Sequence, residues 1–177
     1  MTTTTMALAM ALITALAGPA LAHVSLETPE APAGSTYKAV LRVGHGCDGQ
    51  ATTTIQVQIP DGVIAVKPMP KPGWTLETQI ATYAQPATLH GETVTEGVRE
   101  ITWSGGDLPD DWYDEFTFRA RLPEDGAAGQ ILYFPVVQMC DGAEIRWIET
   151  PAEGQDPDEL EEPAPGLILA DPTAHTH

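Results

Sequence analysis

Basic side chains are scarce in this chain: eight Lys and Arg stand against 25 Asp and Glu, for a formal net charge of −17 at pH 7. A surface so acidic repels phosphate backbones and anionic lipid, which disfavours DNA or RNA binding and favours cations or basic partners. Long apolar runs are missing beyond the first 22 residues, so no membrane span is expected in the rest of the chain. Enzyme signatures are missing too, with no G-x-S-x-G, no H-E-x-x-H and no phosphate loop. Carboxylates abound, and pairing any two of them as a glycosidase dyad would be arbitrary.

What the chain does have begins with MTTTTMALAMALITALAGPALA, residues 1–22. The run has the length and apolarity of a secretory signal, and it closes on Ala20-Leu21-Ala22, the small-x-small pattern that signal peptidase cuts. Its n-region lacks Lys and Arg, leaving the α-amine as the only positive charge. The expectation is a periplasmic or secreted protein whose mature chain starts at His23. Residues 23–150 read as one domain, and residues 151–177 as an acidic, proline-rich tail, mostly extended or disordered, in which only Leu167, Ile168 and Leu169 are able to dock.

Within 23–150 the apolar residues alternate with period two. Tyr37, Ala39, Leu41 and Val43 share one face, as do Ile55, Val57 and Ile59, and again Phe116, Phe118, Ala120 and Leu122. These are the marks of half-buried strands. Weaker strand patterns occupy residues 24–27, 63–67, 75–83, 98–103, 130–138 and 143–149. Asp61-Gly62, Gly105-Gly106, Glu124-Asp125-Gly126 and Asp141-Gly142 supply chain reversals. The segment KPMPKPGW, residues 67–74, is too rich in proline for a central strand and reads as a rigid loop. About nine short strands and no helical periodicity predict an all-β, immunoglobulin-like or fibronectin-like antiparallel sandwich.

Two cysteines, Cys47 and Cys140, in a chain marked for export favour a disulfide closing a loop of about 90 residues. The competing use is a pair of thiolates for a soft metal, which an oxidising compartment opposes. Cleavage after Ala22 would expose a second chemistry. The new α-amine and the Nδ1 of His23 close a six-membered chelate, so one residue supplies two nitrogen donors, a set that suits tetragonal Cu(II). The amine must lose its proton, which makes binding pH-dependent. Without further ligands, a histidine at a cleavage site is equally an accident of processing.

The start HVSLETPEAPAGSTYKAVLRV, the later TTTIQVQIPDGVIAVKPMPKPGW and the late tryptophan in IRWIE resemble the YcnI-like family of secreted copper-binding domains. The similarity runs over most of residues 23–149. It implies a β-sandwich, a Cu(II) ion held by a mono-histidine brace at the mature N-terminus, and copper handling beside other periplasmic copper-transport proteins. On this resemblance His23 takes the brace position, Asp48 the carboxylate ligand and Trp147 the tryptophan against the metal. Many members carry Glu where this chain has the shorter Asp48.

Each assignment has a plainer alternative. Asp48-Gly49 is an ordinary turn pair, and Trp147 alternates with Ile145 as a core residue does. His45, three residues before Asp48, is a further ligand candidate or a mobile loop residue between two glycines. His90 reads as solvated, His175 and His177 as a weak terminal capture site, and Met69 and Met139 as packing residues. The triplet Cys-Asp-Gly occurs at 47–49 and 140–142, so a disulfide there would tie the Asp48 loop to the hairpin entering the Trp147 strand. The function expected is Cu(II) sequestration or delivery without turnover. The alternatives are a histidine-brace copper oxidoreductase and a structural sandwich with no metal role.

Overall fold

The computed structural model describes residues 23–172; the signal segment and His175 and His177 lie outside the described residues. The strands are β1 (Ser25–Leu26), β2 (Glu30–Pro32), β3 (Thr36–Val43), β4 (Thr52–Gln58), β5 (Ile64–Pro68) and β6 (Thr75–Leu89). They continue with β7 (Glu92–Leu108), β8 (Asp114–Arg121), β9 (Ile131–Tyr133), β10 (Val136–Cys140), β11 (Glu144–Trp147) and β12 (Gly166–Ala170). One sheet has the order β1-β3-β8-β5, a second β11-β10-β4-β7-β6, and a small third sheet β2-β12-β9. All pairs are antiparallel except β2 with β12. Among the described residues no helix is long and apolar enough to cross a membrane.

The alternating patterns become the core. Leu41, Val43, Ile55, Val57, Phe116 and Phe118 are buried and join Ile101, Trp103 and Phe134 in one apolar cluster drawn from the two larger sheets. Because strand side chains alternate between faces, the registers Val57↔Ile101 and Leu41↔Phe116 put apolar residues opposite one another on the inner side. Trp103 satisfies its ring N–H by donating to the Met69 carbonyl at 3.0 Å. The proline-rich loop is pinned by Trp74, which meets Phe116 edge-on with centroids 4.9 Å apart. Gly106 lies beneath that indole, where an added Cβ would come within 2.1 Å of it.

Two segments depart from expectation. Instead of an extended or disordered tail, residues 157–159 make a short 3-10 turn and β12 joins the fold, with Leu167 and Leu169 fully buried. The i-to-i+2 spacing of those two leucines lets a strand bury both on one face, so the domain continues past 150 to Ala170. The other departure is the hairpin of β6 and β7, paired as far as Leu89↔Glu92. Most of its distal half is exposed on both faces, and it turns at His90 and Gly91, both with positive φ. The single expected stretch 130–138 is split into β9 and β10 at Phe134-Pro135.

Tyr37 makes the fold sensitive to alkali. Its buried hydroxyl donates to the Thr28 carbonyl at 2.6 Å, and burial, with Glu27 adding negative charge, pushes the phenol up to about 12. The unfolded phenol titrates near 10. A folded pKa raised above the unfolded one means that stability is whole below pH 10 and declines as pH rises toward 12. The expected decline is on the order of 2 kcal/mol. Chemical denaturation across that range should show it in the native protein and flatten it in Tyr37→Phe; identical curves would count against the assignment.

Candidate metal centre

The chain approaches His23 from a fixed direction. Val24 and Leu26 on either side of Ser25 are buried, and β1 is registered by Ser25↔Arg42 and Leu26↔Leu41. The core therefore grips the residue after His23 and leaves its imidazole exposed at the sheet edge. That ring packs against Trp147, with centroids 5.5 Å apart and planes tilted by 57°.

Trp147 ends β11 and is 4% exposed. Its ring N–H donates to Gln138 Oε1 at 2.9 Å. Gln138, fully buried on β10, donates from Nε2 to the His45 carbonyl at 2.7 Å and to Thr52 Oγ1 at 2.7 Å. An indole N–H can only donate and a carbonyl can only accept, so these partners fix the orientation of the amide. One side chain thus joins the indole, the histidine loop and β4.

His45 lies in the Gly44–Gly46 loop after β3, half-buried, its ring edge-on to Trp147 with centroids 6.0 Å apart. Its Nδ1 stands 2.5 Å from the Gly46 carbonyl. Since the carbonyl cannot donate, Nδ1 carries a proton, and in the neutral ring Nε2 keeps a bare lone pair. Nε2 is buried and has no hydrogen-bond partner among the described residues. A buried unsatisfied nitrogen costs about 1–3 kcal/mol unless something fills it. Gly46 is held by donation from its N–H to Asp110 Oδ1 at 2.9 Å, and an added Cβ there would sit 1.9 Å from the Gln50 carbonyl oxygen. Position 46 therefore has no room for any side chain.

Next along the chain, Cys47 is bonded to Cys140, with Cα atoms 5.9 Å apart and a sequence separation of 93. The thiolate alternative is thereby excluded. Cys47 and Gln50 exchange backbone hydrogen bonds of 3.1 and 2.9 Å across Asp48 and Gly49, whose φ values are 50° and 80°. Two positive φ values are what a tight primed turn requires, and Asp-Gly suits them. Asp48 is exposed at the tip, and no ion pair or hydrogen bond joins its carboxylate to His23 or His45.

The structure therefore brings His23, His45 and Trp147 together, anchors the His45 loop by the disulfide, and sets Asp48 one turn further out. His90 is exposed at its hairpin tip and Met69 is likewise exposed. No group of three or more His, Cys, Asp or Glu side chains arranged for a metal occurs among the described residues. A site built from two imidazoles and a backbone amine would form no such group. Gln138 escaped the sequence reading, although a signal existed: in VVQMC it shares the inward phase of Val136 and Cys140, and a polar residue in that phase needs partners.

A family model described as a domain of unknown function, DUF1775, matches residues 23–169. A crystal structure of an uncharacterized protein from Nocardia farcinica with an immunoglobulin-like fold is similar at 26% identity and a TM-score of 0.61, over 84% of this chain and 98% of that one. The sixth cohesin of scaffoldin B from Acetivibrio cellulolyticus, crystallised with a Cel5 dockerin mutant, aligns at 11% identity and a TM-score of 0.41, over 83% and 97% of the two chains. No curated protein matches the chain.

Proposed function

The chain belongs to the DUF1775 family, and from that premise we propose that it is an exported Cu(II)-binding protein, which holds the ion for sequestration or delivery and does not turn over a substrate. The observation that carries this reading is the buried Nε2 of His45, without a hydrogen-bond partner among the described residues, beside the indole that His23 also touches. Cleavage after Ala22 would add the α-amine and Nδ1 of His23 to that nitrogen. Three neutral nitrogen donors suit Cu(II), which stands highest among the divalent first-row ions. The bond from His45 Nδ1 to a backbone carbonyl is the kind of outer-shell contact that fixes a ligand's tautomer. Asp48 is the carboxylate candidate, within the same loop and with no ion pair to either oxygen among the described residues. The acidic surface would draw cations toward the protein.

Protein processed to begin at His23, titrated with Cu(II) and followed by electron paramagnetic resonance, is expected to show one tight, nitrogen-rich site per chain. His45→Phe keeps an aromatic ring against Trp147 and removes the donor; it should weaken the site by at least about tenfold, about 1.4 kcal/mol, and simplify the nitrogen hyperfine pattern. Asp48→Asn separates the carboxylate from the imidazole by the same measurement. Absence of a tight site in the processed protein would leave a structural sandwich.

His45 also favours a second reading. An amine and two imidazoles are the three nitrogens that a histidine-brace oxidoreductase uses, and with them the site would support copper redox chemistry. Reductant-dependent oxygen or peroxide consumption by the copper-loaded protein would establish that reading over simple binding.

A further inference from the structure

The eight Lys and Arg of this acidic chain divide into two groups. Five form ion pairs: Arg42 with Glu27, Lys71 with Asp114, Arg99 with Asp61, Arg121 with Glu124 and Arg146 with Glu144. The remaining three, Lys38, Lys67 and Arg119, have no carboxylate within ion-pair distance among the described residues, in a chain holding 25 Asp and Glu. These three are not scattered. Arg119 on β8 is registered opposite Lys38 on β3 and, on its other side, opposite Lys67 on β5. All three are exposed, so they form one row across three neighbouring strands. Like charges directly opposite on a sheet destabilise it, and no carboxylate among the described residues stands within ion-pair distance to offset this.

Beside the row runs an apolar groove of about 410 Å³, lined by Pro68, Met69, Pro70 and the stems of the three cations. Met69 is 54% exposed there, and β5 is the outer strand of its sheet. A cationic row with an apolar strip at a sheet edge fits an extended segment that alternates carboxylates with apolar side chains. The rest of the surface selects among anions. A nucleic acid or an anionic bilayer would bring much of the −17 protein within one Debye length, about 8 Å at physiological salt, whereas a narrow peptide meets only the row.

We propose that Lys38, Arg119 and Lys67, with Met69 and Pro70, form a docking site for an acidic, extended peptide segment of a partner protein. The site is independent of copper. The probe is a fluorescent acetyl-Glu-Glu-Leu-Glu-Glu-amide, added to the whole mature protein and read by anisotropy. Saturable binding should weaken at least about tenfold in the Lys38→Gln, Lys67→Gln, Arg119→Gln triple variant, and also in Met69→Glu, which keeps all three cations. The triple variant should melt no lower than the native protein, because the repulsion is gone. Inorganic phosphate and phosphatidylglycerol vesicles should not compete for the site. The proposal is overturned by absence of peptide binding, by equal binding to the triple variant, or by vesicle binding that exceeds peptide binding.

Discussion

Acetylating the α-amine of His23 is expected to weaken Cu(II) binding by about 100-fold, equivalent to about 2.7 kcal/mol, while the melting temperature of the domain stays put. An amide nitrogen carries no lone pair free for the metal, so the chelate ring on His23 is lost and its imidazole binds through one atom. The fold does not depend on the amine, because Val24 and Leu26 make the first core contacts and β1 is already registered against β3. A competition titration against a chromophoric chelator, run on proteins beginning at His23 with a free and with an acetylated α-amine, decides the matter. Equal affinities would end the brace reading, whatever other copper the protein takes up.

The second large effect is expected from Cys47→Ser with Cys140→Ser. Opening a loop of 93 residues should lower stability by about 4–5 kcal/mol in the chain-entropy view, visible as a fall in the urea midpoint. The same variant should bind Cu(II) less tightly even where it is fully folded, since Cys47 anchors the loop two residues after His45 and Cys140 closes β10 two residues after Gln138. The two readouts answer different questions: a lower midpoint with unchanged copper affinity would make the disulfide purely a matter of stability.

Much of the sandwich could be read before any coordinates, because period-two patterns such as Phe116, Phe118 and Ala120 follow directly from burying one face. The hairpin arm of β6 and β7 was only half legible, since a strand wet on both faces has no apolar pattern to show. β12 was obscured by the acidic, proline-rich sequence before it, although Leu167 and Leu169 had the right spacing to dock. At the site, the motifs pointed to His23 and Trp147, and the geometry sets them against one another. The position of His45 was beyond sequence reading: a histidine between two glycines says nothing of a side chain 93 positions away, and it is Gln138 on β10 that accounts for the placing.

The amide of Gln138 ties the candidate centre to the pairing register of the sheet. If β10 slipped by one residue against β4, Gln138 would turn to the outer face, and Trp147, His45 and Thr52 would lose their common partner at one stroke. Ligand geometry and strand alignment are thus a single event. A chain that folds out of register would present a tryptophan ring N–H without its acceptor and a histidine loop held by the disulfide and Asp110 alone.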